Sequence, residues 1–272
     1  MFPGIAARSP ALSRRNLETP PDLNMGLTAH LEARAVITFA RLMVDARAEP
    51  SRASLREGRS VVAYAVPIAV FAVLTALEGL LPASAYPVAY IVKIAAVTAA
   101  LGYFRGPLGD IRPSWRVVPL GAAVGLIVFA EWVIVDQRVP YPHLGVRVGY
   151  NPFVAIQDVG VRWAFLVARF YGLVLVVPVM EELFWRSFLL RYATRADFTA
   201  LAVGQFSMAA FWIVVVLSAV AHPEWLVAAI ASALFAWLLH YTRSLFAVIV
   251  SHAVANAALG GHILTRGQWQ YW

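Results

Sequence analysis

Three stretches of this sequence hold residue types that could do chemistry: Glu181-Glu182-Leu-Phe-Trp-Arg186, His222, and His252-Ala-Val-Ala-Asn256. Helical residues advance by about 100° each, so Glu182 and Arg186, four apart, share a face and neutralise each other. Glu181 points about 100° away and has no local partner, which leaves it free to take a proton. His252 and Asn256 also project from one face, and both side chains can donate to a developing oxyanion. A free carboxylate with one imidazole can activate water. The other imidazole and the amide can stabilise a tetrahedral intermediate. Together they could hydrolyse a peptide bond without a covalent intermediate. Each part alone has a plainer reading: a charge cluster at a helix end, a polar contact joining two helices, or, for His222 before Pro223, a cap. Glu181, His222 and His252 are also residue types that bind zinc, although the His-Glu-x-x-His spacing of common zinc proteases is absent.

The elements that must position these residues are apolar. Of 272 residues, 61% are hydrophobic and only 14% charged, against about 25% charged in soluble domains. Seven stretches approach the roughly 20 apolar residues that a membrane helix needs: 61–81, 87–104, 117–135, 163–180, 205–221, 225–241 and 245–264. Pro82, Gly106-Pro107, Pro140, Pro142, Asn151-Pro152 and Pro223 separate them. No alternating pattern of the kind a membrane barrel needs is present. The expected fold is all-α: a polytopic membrane bundle of about 7–8 transmembrane helices, with the site in an intramembrane cavity. With no cysteine, disulfide scaffolds and thiolate chemistry are excluded.

Charge divides the chain into a polar leader, residues 1–59, and an apolar domain, residues 60–272. The leader holds nine arginines and six acids; the domain, more than three times longer, holds thirteen basic and nine acidic residues. Within the leader, residues 27–48 have a rough helical pattern of apolar and arginine positions. That suits either an amphipathic helix on an anionic membrane surface or a weakly ordered tail. Leu12 is followed closely by Arg14 and Arg15, so no cleaved signal peptide is expected. The net charge of +7 fits basic cytoplasmic loops better than nucleic-acid binding. Arg105, Arg112 and Arg116, then Arg186, Arg191 and Arg195, then Arg243 mark alternate loops. This places the N-terminus in the cytoplasm and, with seven spans, the C-terminus outside.

Other ionisable groups fall within the spans, where they are expensive. Lys93, the one lysine of the chain, is expected to pair with Glu78 or Glu131. Arg169 is expected to anchor a loop or a carbonyl, and His240 and His262 to serve near span ends. Depth is the difficulty for the site. A simple count puts Glu181 toward one face of the membrane and His222 toward the other. The expected solution is a fourth helix that continues to about Tyr192, with the turn beyond it projecting past the bilayer and the heads of Arg186, Arg191 and Arg195 in water.

Glu-Glu-x-x-x-Arg, a histidine closing an apolar helix, and His-x-x-x-Asn, in order and on separate spans, resemble the CAAX-processing and bacteriocin-processing (CPBP, or ABI) family of intramembrane proteases. The stretch from Glu182 to Tyr192, Ala221-His-Pro-Glu-Trp225, Gly267-Gln-Trp-Gln-Tyr-Trp272, Tyr150-Asn-Pro152 and Lys93 look like its bacterial exosortase-associated, CAAX prenyl protease-related branch. The likeness covers roughly residues 60–272. It implies a glutamate-activated water, with Glu181 as the catalytic glutamate and His222 holding or activating the water. It assigns His252 and Asn256 to the oxyanion, with Glu182 and Arg186 in support. It implies no metal cofactor, with zinc as the chemical alternative. It also implies a membrane-associated polypeptide substrate, exosortase-system proteins as partners, the lipid bilayer, and the bacterial inner membrane. Ser218 departs from the pattern, since the family usually has Phe four residues before this histidine; the change bears on packing and substrate shape. Two further functions fit the same residues: a non-proteolytic scaffold or chaperone in protein sorting, and a transporter. The last is disfavoured because no internal repeat is present.

Overall fold

The structure is a computed structural model that describes residues 52–145 and 149–272. The leader pattern over 27–48 lies outside the described residues. Among the described residues, seven helices of more than ten residues follow in order: α1 (Arg52–Glu78), α2 (Tyr86–Tyr103), α3 (Val118–Arg138), α4 (Val159–Tyr192), α5 (Met208–Val220), α6 (Trp225–Thr242) and α7 (Leu245–Arg266). No strand occurs among the described residues. Six of the helices are long and apolar enough to cross a membrane, and α5 is the shorter seventh. Each of the seven apolar stretches is therefore a helix, and the fold is a polytopic helical bundle.

The helix ends follow from their sequences. Asp158, Ser207 and Ser244 accept hydrogen bonds from the backbone N–H three residues on, capping α4, α5 and α7, each such cap being worth about 1 kcal/mol. Prolines near the first turns of α2 and α3 cost no hydrogen bond, because those N–H groups have no helical partner. Gly267 ends α7 in the left-handed region at φ 69°, where a glycine carries no Cβ penalty.

The outer faces of the bundle expose Val73, Val92, Ile127, Val167, Trp212 and Trp237. Such a surface would drive a soluble chain to aggregate and is the natural face toward lipid. The protein is an integral membrane protein.

α4 is the central element. Its stretch from Met180 to Leu190 is buried on every side apart from Glu181, as expected of a helix enclosed by others. α3 and α7 lie side by side where Gly121 and Gly125 remove side chains from the contact. A Cβ on Gly125 would stand 2.3 Å from the Ser251 carbonyl oxygen, and one on Gly121 would stand 2.7 Å from that of Ala247. Small residues at this spacing are the usual route to close helix contact in a membrane. Here they fix the depth of α7, the helix that carries His252 and Asn256.

α4 extends to Tyr192, as expected, but the depth problem is solved elsewhere. At about 1.5 Å per residue, Glu181 lies about 17 Å from the Tyr192 end of α4. α5 starts from that same side, has only 13 residues and spans about 20 Å. It turns back at His222 after roughly the same rise. The two residues meet because α5 stops part-way. The expectation that Arg186 and Arg191 reach water does not hold: they are 2% and 5% exposed. The Arg195 side chain is exposed and pairs with Asp197.

Candidate active site

α4 is not a uniform helix around its two glutamates. Val177–Glu182 is α-helical and stands between two π-helical stretches, Gly172–Val176 and Leu183–Leu189. Pro178 supplies a cause for the first, because it has no N–H to donate to the preceding turn. In the i→i+5 pattern the carbonyl left without that donor is Leu173's. The Asn256 side-chain amide donates to it at 2.9 Å. A proline in α4 and an asparagine in α7 thus complete one hydrogen bond, and Asn256 is oriented by it. π-helical turns of this kind recur at functional sites.

Glu182 is fully buried. The guanidinium of Arg186 approaches its two oxygens at 3.3 and 3.4 Å, as the i, i+4 spacing requires. Arg186 also donates to the Ser232 hydroxyl at 3.1 Å and to the Ser232 carbonyl at 3.4 Å. The other partner of Glu182 comes from α7: His252 Nδ1 lies 2.8 Å from Oε1. A buried carboxylate is thereby matched by an arginine and by an imidazole, which offsets a desolvation cost of several kcal/mol per ion.

Glu181 is half-buried and, among the described residues, makes no hydrogen bond or ion pair. It lines a cavity with His222 and His252, together with Arg186, Ser218 and Ser232. A second, mostly apolar cavity adjoins it, with Asn256 and Leu259 in its wall. Trp132, Ala231, Phe235 and His252 line both. Glu181, His222 and His252 therefore surround one cavity and Asn256 lines the adjoining one, with Glu182 behind His252. The first cavity lies between α3, α4, α5, α6 and α7, and the α5–α6 turn carries His222 into its wall.

Both imidazoles are oriented by acceptors at Nδ1. His222 Nδ1 is 2.8 Å from the Ser218 carbonyl. A carbonyl can only accept, so the proton sits on Nδ1 and neutral His222 offers a lone pair at Nε2. His252 donates Nδ1–H to Glu182, so it can donate from Nε2 only as imidazolium. Among the described residues, no three His, Asp or Glu side chains are gathered closely enough to hold a metal ion.

Two aromatic residues escaped the sequence reading. Phe235 stacks on His252, with centroids 5.2 Å apart and planes 26° apart, and lies 5.3 Å from the Arg186 guanidinium carbon. Trp132 packs edge-on against His222 at 6.1 Å. Both sit in apolar helices where nothing in composition separates them from core residues. Two other span charges are structural. Lys93 pairs with Glu78 and donates to Thr75 at 3.2 Å. Arg169 lies over the rings of Tyr90 and Trp272 rather than on a loop carbonyl.

Residues 163–258 match the family model of the type II CAAX prenyl endopeptidases, Rce1-like. The matched segment supplies most of the cavity lining and is similar to that family. The match begins inside α4 and ends inside α7, so this Rce1-like segment holds Glu181, Glu182, Arg186, His222, His252 and Asn256. No curated protein and no solved structure matches the chain. The match covers about a third of the chain and marks this segment as similar to type II CAAX prenyl endopeptidases.

Proposed function

We propose that the protein cleaves a membrane-associated polypeptide with water activated by Glu181. The observation that carries this reading is the unpartnered Glu181 carboxylate in a cavity that it shares with two oriented imidazoles. In this mechanism a water sits between Glu181 and Nε2 of His222. Glu181 takes its proton as the oxygen attacks the scissile carbonyl. The carbonyl oxygen becomes an oxyanion and receives a hydrogen bond from Nε2–H of imidazolium His252 and one from the free N–H of Asn256. Glu181 then returns its proton to the leaving amine. Glu182 holds the charge and orientation of His252, and Arg186 balances Glu182. No acyl-enzyme forms, so the product carboxylate gains one oxygen from water.

The N-terminal end of α1 faces the cytoplasm in this reading, with Arg105, Arg112 and Arg116 on the same side. The exosortase partnership and a bacterial inner membrane rest on the likeness of the 150–152, 182–192, 221–225 and 267–272 segments and of Lys93. Neighbouring genes that encode a sorting system would support them.

The test is processing in cells. Membrane-associated proteins should lose a cleavage product when Glu181→Ala or His252→Ala replaces the wild type, with protein levels unchanged. Unchanged processing together with a lost physical partner would replace the protease reading with a scaffold. Activity that persists in chelator supports the metal-free mechanism; loss on chelation with recovery in zinc contradicts it.

A further inference from the structure

The turn that carries His222 is not held by its own helices alone. Its Pro223 carbonyl accepts from the Leu144 N–H at 2.8 Å, and the Trp225 indole donates to the Pro142 carbonyl at 2.8 Å. Tyr141 meets the Trp225 ring edge-on at 5.9 Å. Residues 141–144 thus clasp the chain on the C-terminal side of His222.

The clasp is itself tied down at one carboxylate. Asp136, at the end of α3 and 7% exposed, accepts from the Tyr141 hydroxyl at 2.6 Å and lies 3.0 Å from His143 Nε2, both at the same oxygen. Its other oxygen accepts from the Tyr271 hydroxyl at 2.6 Å. Next to it, Gln137 donates to Gln268 at 3.0 Å, and Gln268 also meets His262 at 2.8 Å. Burial, Asp136 and Glu224 push the Tyr141 and Tyr271 hydroxyls up from their ordinary values. Both therefore stay protonated and keep donating. Asp136 is four residues beyond Trp132 on α3, so one helix face presents the ring packed on His222 and the carboxylate that secures the loop.

We propose that Asp136 is a positioning residue for His222, acting through the 141–144 loop, and that the C-terminal segment 267–272 is the second arm of the same brace. The inference rests on the protease reading only for its effect on rate. Nothing in the brace touches the reacting atoms. It holds the imidazole at the end of a short helix, where a shift of about 1 Å can cost about a hundredfold in rate.

The test uses the full chain in lipid nanodiscs and two readouts. In Asp136→Ala, the amides of Leu144, His222 and residues 224–226 should exchange with deuterium at least about tenfold faster, while those of 252–260 in α7 stay protected. Tyr271→Phe, which loses one hydroxyl, should show the same pattern at smaller size. Asp136→Asn keeps an acceptor and should restore most of the protection. In cleavage of a membrane-protein substrate, Asp136→Ala should lower kcat about tenfold with KM within about twofold of wild type. Unchanged exchange at His222 and 224–226, or equal loosening of α7, overturns the brace. A wild type that cleaves nothing overturns the protease reading instead, and the exchange pattern still decides the brace.

Discussion

α4 carries two buried arginine–carboxylate clusters little more than a turn apart, and they have different uses. In the cluster nearer the Tyr192 end, Arg191 donates to Asp110 at 2.6 Å, to the Ser187 hydroxyl at 2.7 Å and to the Leu201 carbonyl at 3.2 Å. Tyr64 and Ser187 also donate to Asp110. This cluster ties α1 and the α2–α3 connection to α4, and it borders no cavity described above. In the other cluster Arg186 and His252 pair with Glu182, and Glu181 beside them lines a cavity and, among the described residues, has no partner. The same residue types serve both. A carboxylate whose partners are all protein atoms is a joint. A carboxylate left over beside such a joint, and facing space, is available for chemistry.

The comparison predicts different failures. Glu182→Ala should do most damage, because it strands a fully buried Arg186 and frees His252. A loss of about 3–5 kcal/mol in denaturant stability should accompany loss of cleavage. A stable, active variant would show that the two clusters are not alike. Arg191→Met should cost about 3 kcal/mol through the stranded Asp110, which is partly exposed. The surviving folded fraction should cleave at nearly the wild-type rate, as activity per folded molecule would show. A selective loss of rate there would move that cluster into the site. Gly125→Ala should cost about 1–3 kcal/mol through overpacking against the Ser251 carbonyl, and should lower cleavage by displacing His252. Phe235→Leu should be mildest, about 1 kcal/mol or less, with a severalfold fall in rate as His252 loses its stacking partner.

Much of this was legible in the sequence for physical reasons. Apolar runs of about 20 residues separated by prolines have little choice but to be membrane helices. The i, i+4 spacings of Glu182–Arg186 and His252–Asn256 fix shared faces wherever the helices lie. The rest depends on packing between helices. That Glu182 takes His252 as a second partner follows from how α4 and α7 approach, with α7 also packed closely on α3 at Gly121 and Gly125. Arg191 reads as a cytoplasmic loop charge until Asp110, far away in sequence, is placed beside it. Glu131 reads as a candidate partner for Lys93. Among the described residues neither of its oxygens has a hydrogen-bond partner, and nothing in the structure explains it. Phe235 and Trp132 gain their roles only from the imidazoles they touch.

The central claim is that Glu181 is the group available for chemistry. It is tested most directly by Glu181→Gln, which keeps size and shape and removes the base. Purified in lipid and given a membrane-protein substrate that the wild type cleaves, this variant should be slower by about 10²–10⁴-fold, with thermal unfolding unchanged. Cleavage at the wild-type rate would contradict the account.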